Sequence, residues 1–183
     1  AIDGDVVYFS LGSSTNRGPS DRTADPQRAV IVRIGLDGAG YHVMATGVRN
    51  GFGLAMAPDG TLFTAVNQAD KQPYPFRDDS GLYGKVVQEF VNENLVDQVT
   101  RIANGTELGW PYCMPDGTAG GTLVDIGYFP DPLLNPDAST LDCTAIGRVQ
   151  LGLPAHSAPL SLAFTTDTAA EPAIGEGALI GLH

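Results

Sequence analysis

Apolar residues in this chain come in short β-branched or aromatic runs, each closed within a few positions by glycine, proline or aspartate. Val6-Val7-Tyr8-Phe9-Ser10-Leu11 follows Asp3-Gly4-Asp5, and residues 29–34 lead through Asp37-Gly38 to a further run at 41–45. Residues 54–57 enter Pro58-Asp59-Gly60, and 62–66 leave it. Proline presets φ and glycine accepts a positive φ, so these clusters read as tight turns between strands. The 23 Gly and 13 Pro among 183 residues are about a fifth of the chain against a usual ~12%, which disfavours a helix bundle. A hydrophobic share of 43% is that of a chain that buries a core. The pattern predicts an all-β fold of antiparallel hairpins in series.

Two internal echoes suggest how the hairpins are grouped. Asp3-Gly4 before Val6-Val7-Tyr8-Phe9 recurs as Asp59-Gly60 before Thr61-Leu62-Phe63-Thr64, and Leu54-Ala55-Met56 recurs, after nearly twice that interval, as Leu162-Ala163-Phe164. A repeat of roughly 55 residues, each a small sheet with a Pro/Asp/Gly turn, is the sequence pattern of β-propeller blades. Residues 1–183 then hold about three antiparallel blades, whereas a closed ring typically needs about 4–8. The first residues, Ala1-Ile2-Asp3-Gly4, show no initiator Met, basic n-region or apolar h-region, and Leu179 to His183 read as a buried strand. The expectation is a partial propeller truncated at both ends. Residues 12–27, 68–81 and 117–142 are long irregular stretches, and the first two are candidate site-forming loops. Residues 93–102 are expected to hold a short helical turn, since Leu95, Val99 and Ile102 fall near one face.

Charge and cysteines bound the partners. Ten Lys and Arg against 21 Asp and Glu give a formal charge of -11, which repels nucleic acid and anionic membrane surfaces. The longest apolar runs, such as 29–34 and 160–164, fall short of the roughly 18 residues of a membrane span. Cys113 and Cys143 lack metal or redox spacing; a disulfide is the economical reading, with two buried free thiols as the alternative. Asn104-Gly105-Thr106 is an N-glycosylation acceptor, and it leans with the acidic surface toward an extracellular or periplasmic chain.

One run goes beyond architecture. Ala45-Thr46-Gly47-Val48-Arg49-Asn50-Gly51-Phe52-Gly53-Leu54-Ala55 with Pro58-Asp59-Gly60-Thr61-Leu62 resembles the signature of the pyrroloquinoline quinone (PQQ)-dependent glucose/sorbosone dehydrogenase family. Gly109-Trp110-Pro111-Tyr112-Cys113, Asp97 to Ile102 and Pro154-Ala155-His156-Ser157-Ala158-Pro159-Leu160 resemble further family segments in the same order, as do Leu179 to His183 and the stretch Asp3-Gly4 to Ser13-Ser14 with Asn16 and Arg28-Ala29. The resemblance covers nearly the whole chain. It implies about half of a six-bladed, secreted or periplasmic propeller that holds PQQ and calcium at one end of its channel and oxidises a sugar at C1, passing electrons to an acceptor. The missing blades, or another chain in their place, are then implied partners.

Carried over by position, Arg49 and Asn50 match the pair the family sets against its cofactor. A guanidinium suits this chemistry, because PQQ carries three carboxylates and an ortho-quinone. His183 is expected near the cofactor and His156 in the channel, as a candidate catalytic residue. Asn67 and Asp70 are candidate calcium ligands, since calcium takes oxygen donors. His42 reads as an exposed strand residue. The family's catalytic His precedes the strand that matches Val6–Leu11, outside this sequence, and the loop after Asn67 carries Gln68-Ala69 where the family commonly has Gly. A non-catalytic extracellular module for assembly or for binding carbohydrate or protein is the alternative. A calcium-dependent lactonase-type propeller is less favoured, because no clear set of channel carboxylates is present.

Overall fold

The computed structural model describes residues 1–118 and 123–183, so the irregular stretch 117–142 lies in part outside the described residues. In chain order its elements are β1 (Ile2–Asp3), β2 (Val6–Leu11), β3 (Val30–Gly35), β4 (His42–Thr46), β5 (Asn50–Met56), β6 (Leu62–Asn67), α1 (Gln88–Asn94) and β7 (Val96–Ile102). There follow β8 (Thr106–Glu107), β9 (Cys113–Pro115), β10 (Val124–Ile126), β11 (Tyr128–Pro130), β12 (Val149–Ala155), β13 (Pro159–Phe164), α2 (Glu171–Ile174) and β14 (Ala178–Leu182). Short 3-10 turns lie at Pro19–Thr23 and Cys143–Ala145.

Two five-stranded sheets and a third hairpin account for most of the chain. The first sheet runs β1-β2-β3-β4-β8, the second β10-β12-β7-β6-β5, and β13 pairs with β14; β9 and β11 form a small ribbon. The predicted turns close these hairpins. At the β5–β6 turn Gly60 takes φ +81°, a conformation that costs a side chain-bearing residue, and the Asp59 carboxylate accepts from Thr61 N at 2.9 Å. The chain is all-β with propeller-like blades, stacked so that the core lies between sheets. Ile31, Val48, Leu62 and Val66 fill the space between the first two, and Ala65, Val99, Leu153 and Leu162 that between the second and third.

The blade step differs from the sequence expectation. Asp3-Gly4 and Asp59-Gly60 do occupy equivalent first turns of successive sheets. However, β5 and β13, which hold the echo of Leu54 at Leu162, pack on each other as neighbours, so that longer offset is one blade rather than two. The second sheet is long because residues 68–95 intervene between β6 and β7, and residues 103–148 between β7 and β12.

Two local expectations are also corrected. The helix occupies Gln88–Asn94, and residues 96–102 are a strand. Because β7 is interior to its sheet and buried on both faces, Leu95, Val99 and Ile102 mimic helical spacing without forming a helix. Strand β14 is exposed rather than buried: Leu179 is 53% and Leu182 54% accessible, since it pairs only with β13. Cys113 and Cys143 form a disulfide, Cα atoms 5.7 Å apart. No helix among the described residues is long and apolar enough to cross a membrane.

Candidate functional site at one rim of the blades

Strand direction decides which residues can meet. The C-terminal ends of β2, β4, β6, β12 and β14 and the N-terminal ends of β3, β5, β7 and β13 lie at one rim, as their antiparallel registers require. Arg49, Asn50, Asn67, Asp70, His156 and His183 all sit at this rim. Asp59-Gly60, His42 and Asn104 sit at the opposite one. There His42 is exposed, as expected, and its Nε2 lies 2.5 Å from the Oδ1 of Asn104.

Arg49 is the hub. Its Nη1 donates to Asn67 Oδ1 at 2.8 Å, to Asn67 O at 3.3 Å and to the Gln68 carbonyl, and its Nη2 donates to Asn16 Oδ1 at 3.0 Å. Burial pulls its pKa below the ordinary value, against the attraction of Asp70 and Asp97. Its Nε is buried with no acceptor among the described residues. The next residue, Asn50, is half-buried on β5; its Oδ1 lies where a Cβ on Gly12 would approach to 2.5 Å. Glycine at 12 thus leaves room for this amide.

The loops expected to form a site do converge here. Asn16, from the 12–27 loop, accepts from Asp70 N at 3.0 Å and donates to the Asp70 carbonyl, and its own carbonyl accepts from buried Trp110 Nε1 at 3.1 Å. Its neighbour Arg17 pairs with the buried carboxylate of Asp131, tying in the 117–142 stretch. Further along, Arg22 makes a two-pronged ion pair with Glu107, at 2.7 and 3.0 Å.

A cleft of about 160 Å³ opens beside this hub, lined by Asn67, Gln68, Asp70, Asp97 and His156 among others. His156 sits in a left-handed turn, φ 62°, just after β12. Its Nε2 is 3.0 Å from the Val91 carbonyl of α1, and its Nδ1 is 3.4 Å from Asp70 Oδ1. Asp97, buried on β7, accepts from Gln68 N and Ala158 N, each at 2.7 Å. Burial pushes its carboxyl above the ordinary value, partly offset by these two bonds. His183 shares the rim, but the bond that places it is from its backbone N to Ser157 O, at 3.4 Å. A larger cavity of about 580 Å³, lined by Thr100, Ile102, Leu108 and Ile146 among others, lies toward the opposite rim and contains none of the predicted site residues.

Sequence reasoning assigns no role to Asn16, Gln68 or Asp97. A carboxylate amid the valines of 96–99 is a usable signal for Asp97, because a charge in an apolar strand needs buried partners. Asn16 and Gln68 lie in polar loops with no such contrast.

No protein-family profile matches the chain, and no curated protein matches it. Solved structures do. The PQQ domain of a pyranose dehydrogenase from Coprinopsis cinerea, solved in its holo form, superposes with a TM-score of 0.66 at 17% identity, over 87% of this chain and 42% of that one. A calcium structure of a Trichoderma reesei carbohydrate-active enzyme of family AA12 gives 0.70 at 18% identity, over 89% and 44%. A glucose dehydrogenase gives 0.56 at 18%, over 97% and 44%. The chain shares their fold. It spans less than half the length of each, and at this identity the likeness speaks to architecture.

Proposed function

We propose that residues 1–183 form part of a larger secreted propeller in which the Arg49–Asn50 rim receives PQQ and a sugar is oxidised at C1, with electrons passed on to an acceptor. The observation that carries this reading is the convergence on one rim of Arg49, Asn50, Asn67, Asp70, His156 and His183, from the ends of different strands. The rim fits the quinone in donor type. Arg49 brings a permanent positive charge with one nitrogen lacking an acceptor among the described residues, and Asn50 brings an amide whose oxygen packs against Gly12. When bound, PQQ supplies a two-electron oxidant able to take a hydride from a sugar C1–H. The chain's own residues bind and orient. Arg49 attracts carboxylates or developing negative charge, Asn50 donates, and Asp97 fixes the loop through Gln68 N.

His156 belongs to positioning rather than to proton transfer. Its two nitrogens face Val91 O and Asp70, which joins α1, the 68–81 loop and the turn before β13. Calcium does not fit at Asn67 and Asp70 as the residues stand. The Asn67 amide oxygen and the carbonyls of 67 and 68 already accept from Arg49, and Asp70 Oδ1 faces His156. The Cys113–Cys143 disulfide supports an oxidising, extracellular or periplasmic setting, and Asn104 stands exposed for glycosylation.

One observation favours a non-catalytic binding or assembly module instead: protein oxygens occupy both terminal nitrogens of Arg49. The full-length protein given PQQ, an aldose and a dye acceptor separates the two. Aldose-dependent dye reduction that Arg49→Ala diminishes supports the dehydrogenase; a folded protein without PQQ binding supports the module.

A further inference from the structure

Four oxygens from two loops and a strand end point at one place on the rim: Asn67 O, Asn67 Oδ1, Gln68 O and Asn16 Oδ1. Two backbone carbonyls and two side-chain amide oxygens form a neutral set of hard donors of the kind a divalent cation takes. The set is filled by the guanidinium of Arg49. We infer that Arg49 is the resident cation of this rim, standing where the family resemblance puts calcium, so that the 12–27 and 68–81 loops are ordered here without a metal.

Each part of the cage has a reason to prefer the guanidinium. Its planar fork reaches acceptors on two sides at once, Asn67 and Gln68 through one nitrogen and Asn16 through the other. Asn16 is fixed independently, because its side chain also exchanges bonds with the backbone of Asp70 and its carbonyl accepts from Trp110. Gln68 is fixed by Asp97 through its backbone N. Asn16 Oδ1 and the Gln68 carbonyl are therefore held by groups other than the cation, as is the Asn67 backbone, paired with Asn50 in the β5–β6 ladder, and a cage so preorganised would persist if the guanidinium were withdrawn. A divalent ion beside Arg49 would place two cations on the same oxygens, and none of the four is a carboxylate; Asp70 holds one oxygen 3.4 Å from His156. Bound to the empty cage of an Arg49 variant, the same ion would meet no such repulsion.

Calcium dependence of the full-length protein tests this, with a readout separate from turnover and from PQQ binding. Hydrogen exchange at the amides of 67–70 in wild type is expected to be the same in calcium chloride and in EGTA. Arg49→Ala is expected to melt several degrees lower than wild type in EGTA and to recover part of that loss when calcium is added. The recovery should disappear in Arg49→Ala/Asn67→Ala. Calcium-dependent protection of 67–70 in wild type would overturn the inference, and that measurement stands if Arg49→Ala does not fold. So would a folded Arg49→Ala indifferent to calcium. Neither result bears on whether the rim takes a quinone.

Discussion

At the scale of single residues, the rim is held by a few polar groups whose protonation is coupled to folding. Glu107 is half-buried, and its desolvation favours the neutral form, but the bonds and charge of Arg22, with Thr46 and Gly109 N, overcome this and hold its carboxyl below the ordinary 4.5. A depressed acid stabilises fully above its unfolded value, and that contribution is lost as pH falls through the folded one. Asp97 has the opposite sign. Its carboxyl lies above the ordinary 3.8, so between those values acidification favours the folded state. Urea melts across the acid range should therefore show a shallower acid loss in Glu107→Gln and a steeper one in Asp97→Asn. Gly53 makes a different prediction: a Cβ there would lie 2.8 Å from Ser161 C and 2.9 Å from Leu162 N. Gly53→Ala should push β5 from β13 and cost about 1–3 kcal/mol by thermal melt. Arg49 and Asn50 are legible in sequence because they sit in a dense local motif. Asn16 is not, because its role arises only when loops 54 residues apart meet at Asp70.

At the scale of elements, what holds the long insertions of the second sheet is aromatic packing and one covalent bond. Tyr74, Phe76, Phe90 and Phe129 stack edge to face, with centroids 5.2 to 6.2 Å apart, and so pin the 68–81 loop and α1 against β11. Phe90→Ala should cost about 3–5 kcal/mol, and it should raise proteolysis within 68–95 before the strands open. The disulfide spans 30 residues and closes around buried Asn135, whose Nδ2 donates to Leu141 O at 2.7 Å. Replacing both cysteines by serine should lower stability by about 2–4 kcal/mol, read from denaturant midpoints. The hairpins are legible because their turn signals are local; Val6–Leu11 appears with the boundaries its residues suggest. Helix α1 is not, since most of what Phe90, Val91 and Leu95 bury against, Tyr74, Phe76 and Phe129, is distant in sequence. The blade period is hidden for a related reason: insertions inside one blade make the single step from Leu54 to Leu162 look like two.

At the scale of the whole molecule, two five-stranded sheets and one hairpin leave β14 with an open edge and exposed leucines. Such an edge invites pairing with another strand, which would widen this third sheet. The same stacking brings the ends of β2, β5, β6, β7 and β12 to one rim, so the site depends on blade order rather than on any one loop. Titration of the full-length protein with PQQ, followed by absorbance of the quinone, tests the role of that rim most directly. Saturable binding is predicted, weakened at least about tenfold, or about 1.4 kcal/mol, by Arg49→Ala and by Asn50→Ala, and unchanged by Asn104→Gln at the opposite rim. A folded protein that does not bind PQQ, or binds it equally well without Arg49 and Asn50, would contradict it.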